Sequence, residues 1–331
     1  MKIAILGAGA MGTACSLMLA AREDLEVVLW THLKEHADEI RHEHENRRFF
    51  PGVPLPQRIH ITSDGELAVS GATLIVLAIP TVYLRQALQP LATWMPAHVP
   101  VASVAKGLEQ QTFARPSQII AEILHQRPLA ALCGPSHAEE LAKGLPASVV
   151  AASDDAELAH LVQQVFSSET FRVYTNDDLI GVELCGALKN IIAIAAGACD
   201  GLGFGDNTKS ALMARGLVEM VRFTTALGGR AETCYGLAGI GDLITTCISP
   251  YGRNRAVGEK LGKGMKLDDI LASTHAVAEG IWASRAVRDR SLQLGVEMPI
   301  THEVCEVLFA HKPAREAVRD LMLREPKSES C

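Results

Sequence analysis

The chain has 331 residues, 48% hydrophobic and 21% charged, with 38 acidic against 31 basic side chains and a formal net charge of -7. That length suits two domains, each able to bury most of its apolar surface, and the composition is that of an ordinary globular protein, which excludes disordered and fibrous classes. A net negative charge gives no general attraction to nucleic acid or anionic lipid, so no nucleic-acid partner is expected and an anionic ligand needs a local basic site.

Residues 1–21 combine Lys2 with a charge-free apolar stretch and so imitate a secretory leader. Gly7, Gly9 and Gly12 interrupt that stretch at positions with another use, and its length is marginal for a bilayer, so no integral membrane segment is expected. The other use is Gly7-Ala8-Gly9-Ala10-Met11-Gly12, placed between the apolar strand 2–6 and a helix-like run 13–21. In that context the glycines make a tight turn, let backbone approach a pyrophosphate and pack helix on strand, with the phosphates at the helix's N-terminal amides. A second strand, 26–30, follows on schedule and runs into Thr31-His32-Leu33-Lys34. An acid at its end would bond the adenosine ribose and repel an extra phosphate; none stands before Glu35, so NAD and NADP are both admitted. His32 and Lys34 either favour that phosphate or are solvated polar residues.

Further short apolar runs at 73–79, 99–105, 129–133 and 147–151 alternate with helix-like stretches, the pattern of a mainly parallel sheet flanked by helices, and 171–175 ends it. Ligands gather beyond the carboxyl ends of such strands. There the run 99–105 leads into Lys106, and 129–133 leads into Gly134-Pro135-Ser136-His137. Lys106 is a point charge for an anion or a surface lysine, and Ser136 a ligand hydroxyl or a helix cap. From about Gly181 the pattern turns to long helical stretches with glycine-rich joints. We therefore expect an α/β Rossmann domain over 1–180 and an all-α domain over 181–331, with a polar, frayed tail at 324–331.

Within 180–199 only Glu183 and Lys189 are charged, and their spacing of six puts them on different faces of a helix. Lys189 has no carboxylate three or four residues away. It is either a snorkelling or distantly paired lysine, or one whose apolar surroundings depress its pKa toward the range of a general acid and base. Asn190 beside it can orient a polar group. A glycine-rich loop, 200–209, leads to another helix, and Gly239 to Thr246 leads to Tyr251-Gly252-Arg253-Asn254-Arg255. Asp242 can pair with a catalytic lysine, Thr246 lies one helical turn on, and Arg253 offers a planar fork for a phosphate. The eight cysteines, at 15, 133, 185, 199, 234, 247, 305 and 331, form no C-x-x-C pair and no zinc-spaced cluster. They read as free thiols in a reducing compartment, and no metal is expected.

Taken together, GAGAMGTA, AKGLE, GPSHAEELAKGLPASVV, ELCGALKN, DGLGFGDNTK, GDLITTC and GRNR, in that order along nearly the whole chain, resemble the NAD(P)-dependent glycerol-3-phosphate dehydrogenases. The resemblance implies hydride transfer between NAD or NADP and the central carbon of a small phosphorylated substrate, interconverting dihydroxyacetone phosphate and sn-glycerol 3-phosphate. It also implies a cytoplasmic enzyme that supplies glycerophospholipid synthesis; a homodimer is allowed for, although no residue pattern sets the oligomeric state. By motif, Lys189 matches the proton donor and acceptor, with Asn190 and Asp242 beside it in catalysis. Lys106, Gly134, Ser136, Lys189, Asp242, Thr246, Arg253 and Asn254 fall at substrate positions. The glycine turn with Ala10 and Met11, together with His32, Lys106, Ala138, Arg253, Val277 and Glu279, falls at cofactor positions. Two departures stand out: Met11 replaces the usual aromatic residue, and Gly252 a commoner hydroxyl residue. The rival readings are another Rossmann-plus-helical dehydrogenase, of ketopantoate reductase or β-hydroxyacid dehydrogenase type, and a dinucleotide sensor without turnover. Lys106 with Arg253 as a phosphate clamp argues against the first, and retention of Lys189, Asn190 and Asp242 against the second.

Overall fold

Successive side chains of a strand point to opposite faces, so an all-apolar strand feeds two cores at once. In the computed structural model, which describes residues 1–125, 127–273, 277–326, 328 and 329, the first strand does this. Ile3 and Ile5 join a core with Cys15, Leu19, Ile40 and Phe166. Ala4 and Leu6 join a second with Leu84, Leu88, Ile119 and Ile120. The strands and helices alternate as β1 (Lys2–Leu6), α1 (Ala10–Ala20), β2 (Glu26–Trp30), α2 (Lys34–Glu43), β3 (Ile59–Thr62), α3 (Gly65–Val69), β4 (Leu74–Leu77) and α4 (Thr81–Leu91). They continue as β5 (Val101–Ser103), α5 (Pro116–Leu124), β6 (Leu129–Cys133), α6 (Ala138–Leu141), β7 (Ala147–Ala152), α7 (Ala156–Phe166) and β8 (Phe171–Asn176).

The eight strands form one sheet in the order β3-β2-β1-β4-β5-β6-β7-β8. Every pairing is parallel except β6 with β7, which is antiparallel. The order reverses between β1 and β4, and the crevice above that pair is where such sheets take ligands. The runs expected at 73–79 and 99–105 shorten to β4 and β5. β3 was not foreseen: Ile59-His60-Ile61-Thr62 is an edge strand with one exposed and one half-buried residue, so it lacks the apolar run that marks its neighbours.

After β8 the described chain is helical: α8 (Leu179–Gly201), α9 (Asp206–Ala226), α10 (Ala231–Cys234), a π-helical turn (Leu237–Gly241), α11 (Asp242–Ile248) and α12 (Arg253–Gly262). Then come α13 (Leu267–Ala272), α14 (Glu279–Leu294), α15 (Pro299–Phe309) and α16 (Ala314–Met322). Of the tail expected to fray, residues 327, 330 and 331 lie outside the described residues. The glycine-rich stretch 200–209 holds a shorter loop than expected, because Asp200 and Gly201 extend α8 and Asp206 starts α9.

α8 is the axle of this half. It is long and apolar enough to cross a membrane, but it is sheathed by protein, packing on α9, α10, α11, α12, α14 and β6. Its tightest seam is with α12, where a Cβ on Gly197 would lie 1.9 Å from the Arg255 carbonyl oxygen and one on Gly258 1.9 Å from that of Ile194. Only glycine lets the two backbones approach this closely.

α8 also grips the sheet half through Glu183, which is 4% exposed. Its carboxylate accepts from the Ser117 amide (2.7 Å), the Ser117 hydroxyl (2.6 Å) and Arg115 Nη1 (2.5 Å), so it caps α5 from outside. Removing one partner of a buried pair leaves the other uncompensated, at a cost of about 3 kcal/mol. Glu183→Ala should lose about that much in a urea titration, and Glu183→Gln, which keeps an acceptor for Ser117, distinctly less. Equal midpoints for the two variants would show that, without the charge, an acceptor for Ser117 adds nothing to the cap.

Candidate active site

The crevice between β1 and β4 is floored by the glycine turn. Gly7 has φ +118°, and a Cβ there would meet the Ala78 carbonyl oxygen at 2.6 Å; one on Gly12 would meet the Gly7 carbonyl oxygen at 1.8 Å. Gly9, by contrast, has open space where a Cβ would be. It is the N-cap of α1 and offers no side-chain cap, so the amides of Ala10, Met11 and Gly12 at the helix start are left for an anion. These amides are the observation by which the turn fits a dinucleotide pyrophosphate. Beyond β2, Thr31 is buried and His32 exposed, at the far end of the cradle.

Three elements bring charged side chains together beside this turn. Lys106, just past β5, donates to the Gly134 carbonyl (2.8 Å), Ser136 Oγ (3.1 Å) and Asp242 Oδ2 (2.9 Å). Lys189, in α8, donates to Thr246 Oγ1 at 2.7 Å and lies 2.7 Å from Asp242 Oδ1. Thr246 in turn donates to the Asp242 carbonyl at 2.6 Å, one helical turn back. One buried carboxylate thus bridges two lysines, and the π-helical turn delivers it; such turns recur at functional sites. Gly134, with φ +140° and no room for a Cβ against Val149 Cα at 2.9 Å, presents its carbonyl to Lys106.

Burial and charge pull these groups in different directions. Burial outweighs the pull of Asp242 at Lys189, and the charge of Lys106 adds to it, so the Lys189 ammonium titrates below the ordinary lysine value. Burial also disfavours the charge of Lys106, but Asp242, with Cys133 and Glu279 behind it, more than compensates and raises its pKa. Burial alone would lift the Asp242 carboxyl; Lys106 and Lys189 instead hold it below the usual aspartate value. The pair therefore divides: one lysine is fixed in its charged form, and the other is the easier to deprotonate.

Asn190 and Asn254 form the next layer. Asn190 donates to the Lys106 carbonyl (2.9 Å) and accepts from Asn254 Nδ2 (2.9 Å), and Asn254 Oδ1 accepts from the Gly280 amide (3.0 Å). Glu279 accepts from the Thr81 amide at 2.6 Å; burial pushes its carboxyl up against the counter-pull of that amide and of Arg253. Arg253 is exposed in the first turn of α12, and no hydrogen bond or ion pair joins it to another described residue. Ala138 opens α6, and half-buried Val277 precedes α14. The structure thus joins Lys106, Gly134, Ser136, Lys189, Asp242 and Thr246 directly and Asn190 with Asn254 around them, while His32 stands apart beyond β2. Sequence reasoning passed over Cys133, whose thiol points at Asp242 Oδ2 from 3.8 Å, and Thr81, whose amide holds Glu279. The position of Cys133 at the end of a strand, next to Gly134, was the available signal.

A Rossmann-type sheet whose ligand crevice is flanked by a buried Lys-Asp-Lys cluster, shared between the sheet and a helical half, defines an oxidoreductase of the two-part dehydrogenase class. Two family models match the chain: the N-terminus of NAD-dependent glycerol-3-phosphate dehydrogenase over residues 2–159 and its C-terminus over residues 178–319. A glycerol-3-phosphate dehydrogenase [NAD(P)+] of Chlorobium limicola is 48% identical, covering 99% of each chain, and one of Moorella thermoacetica is 48% identical over 98% of this chain and 96% of its own. The crystal structure of glycerol-3-phosphate dehydrogenase from Coxiella burnetii superposes with a TM-score of 0.93 at 36% identity, covering 98% of this chain and 99% of that one. The chain belongs to the NAD-dependent glycerol-3-phosphate dehydrogenase family.

Asp242→Asn removes the counter-ion shared by two buried lysines. A lysine whose folded pKa lies below its unfolded value of about 10.4 destabilises the fold while charged, and the deficit lifts as pH rises through the folded value. The variant should therefore fall short of wild type by about 3 kcal/mol near neutrality and regain ground as pH rises toward about 10. Denaturation midpoints of both proteins across that interval test this; a deficit independent of pH would contradict the assigned electrostatics.

Proposed function

We propose that this chain interconverts dihydroxyacetone phosphate and sn-glycerol 3-phosphate with NADH or NADPH, using Lys189 as general acid and base. The observation that carries the reading is the buried Lys189 ammonium. Two of its three N–H groups are engaged by Asp242 and Thr246, and the third has no acceptor among the described residues. The family membership and the activity of the named relatives support it.

The dinucleotide would be held by Gly7, Gly9, Ala10, Met11 and Gly12 at its pyrophosphate, with His32, Lys106, Ala138, Arg253, Val277 and Glu279 around the rest. When bound, its nicotinamide supplies or takes up the hydride at the central carbon of the substrate. Reduction leaves charge on the carbonyl oxygen, and the free N–H of Lys189 is the proton for it; the neutral amine that results is tolerated because burial already disfavours the charge. Oxidation runs the same transfer backwards. Asp242 keeps its charge throughout, held low by both lysines. Asn190 has donor and acceptor committed to Lys106 and Asn254, so we assign it positioning rather than proton transfer.

For the phosphate, Lys106 contributes charge more than new hydrogen bonds, since its three N–H groups are already directed to Gly134, Ser136 and Asp242. Arg253 is a fork without a hydrogen-bond or ion-pair partner among the described residues, and it stands at the start of a ten-residue helix whose N-cap, Gly252, provides no side-chain cap. We also place the enzyme in the cytoplasm, supplying sn-glycerol 3-phosphate to glycerophospholipid synthesis. The seven described cysteines, all reduced and buried, support a reducing compartment. An assay of NAD(P)H oxidation with dihydroxyacetone phosphate tests the whole reading: a sensor without turnover would bind NADH and leave it unoxidised.

His32 occupies the place of a ribose-binding acid, so both dinucleotides should support reduction and His32→Asp should shift preference toward NADH. No use of NADPH by wild type, or an unchanged preference in the variant, would sink this account of the β2 terminus. Proton transfer and phosphate anchoring should also separate. Lys189→Ala should lower turnover by roughly 10²- to 10⁴-fold with dinucleotide affinity nearly intact. Arg253→Ala should mainly raise the KM for dihydroxyacetone phosphate. Steady-state kinetics on folded variants decides: near wild-type turnover without Lys189 refutes the first role, and an unchanged KM without Arg253 the second.

A further inference from the structure

The loop after α2 carries a buried polar residue with no part in the cluster above. Asn46 is fully buried, and its Nδ2 donates to the Ala8 carbonyl (2.9 Å) and to Thr13 Oγ1 (2.8 Å). Its Oδ1 accepts from the Phe49 amide (3.3 Å) and faces His36 Nε2 at 3.0 Å, while Thr31 Oγ1 lies 3.1 Å from His36 Nδ1. The direction of every bond follows from the two backbone groups, because a carbonyl can only accept and an amide can only donate. Nδ2 must therefore face Ala8 and Oδ1 must face Phe49 and His36. His36 must then carry its proton on Nε2, and in the neutral ring Nδ1 accepts from the Thr31 hydroxyl. The result is one chain of donors, Thr31 to His36 to Asn46 to the turn.

What this chain holds is the peptide between Ala8 and Gly9. In a trans peptide the C=O and the following N–H point in opposite directions. Anchoring the Ala8 carbonyl onto Asn46 turns the Gly9 N–H the opposite way, away from Asn46, at a residue where even a Cβ would meet nothing within 4 Å. Its origin at Thr31, the residue before His32, ties the ribose end of the cradle to the pyrophosphate end. We infer that Asn46, oriented by His36, is a positioning residue for dinucleotide binding: it sets the Ala8–Gly9 peptide plane so that the Gly9 amide meets the pyrophosphate. This rests on reading the glycine turn as the dinucleotide site. The nicotinamide and substrate ends are held by other elements, so the effect belongs to cofactor affinity and not to turnover.

The test compares wild type, Asn46→Ala, His36→Gln and His36→Leu. Each is measured for NADH and ADP-ribose binding by fluorescence titration and competition, for KM of each substrate and kcat, and for thermal midpoint. A misaligned hydrogen bond to a charged ligand is worth roughly 10- to 100-fold in affinity. Asn46→Ala should weaken NADH and ADP-ribose together by that factor, with kcat and the KM for dihydroxyacetone phosphate within about twofold of wild type. His36→Gln, which keeps a donor facing Asn46 Oδ1, should bind close to wild type, whereas His36→Leu should follow Asn46→Ala. Unchanged ADP-ribose affinity in folded Asn46→Ala overturns the inference. So does a loss that tracks the thermal midpoint equally in both His36 variants, since that marks packing alone. If Asn46→Ala does not fold, the His36 pair decides by the same criteria. Failure of wild type itself to bind ADP-ribose would instead refute the dinucleotide reading of the turn.

Discussion

The site depends on one carboxylate shared by two ammonium groups. Asp242 comes from α11, Lys189 from α8 and Lys106 from the end of β5, so the contact that sets the chemistry is also a joint between the sheet and the helices. Neither lysine could be buried alone without losing its charge. Sharing one acid between them does more than satisfy both. It leaves a local excess of one positive charge in a chain whose formal charge is -7, and so concentrates attraction for an anion at this point. It also makes the two lysines unequal, since Lys106 takes additional acceptors from Gly134 and Ser136 and stays charged, while one N–H of Lys189 has no acceptor among the described residues.

Much of this could be read from the residues. The apolar run around Lys189 has only one other charge, Glu183, and both prove to be buried and paired at points where α8 meets other elements. The glycine turn was legible by its spacing next to a recognisable strand: Gly7 and Gly12 answer steric demands within the chain, and Gly9 leaves open space. The pairing of Lys106 with Asp242 was not visible in any periodicity, since 136 residues separate them and tertiary contact alone brings them together. The same holds for the donor chain from Thr31 to Ala8, whose members read singly as ordinary polar residues of helix ends and loops. β3 escaped because an edge strand with a polar, exposed His60 has no apolar pattern to read.

Two different kinds of precision meet at α8. At its N-terminal end Glu183 fixes it to α5 by hydrogen bonds, which tolerate small shifts. At its C-terminal end the contact with α12 is backbone against backbone and tolerates none. Lys189 lies between these two anchors, so its ammonium is placed by the helix as a rigid body rather than by its own flexible stem.

This has a bearing on protein engineering. Replacing helical glycine with alanine is a routine way to gain stability, worth about 1 kcal/mol where the site has room. Along α8 the option is closed. A methyl group on Gly186 would come within 2.9 Å of Cys133 Sγ, beside the Lys106 stem, and one on Gly197 would drive α12 away with Arg253 and Asn254 on it. The glycines that make this helix intrinsically weak are the same ones that let it bring Lys189 to Asp242, so thermal hardening of such an enzyme has to begin on its outer helices.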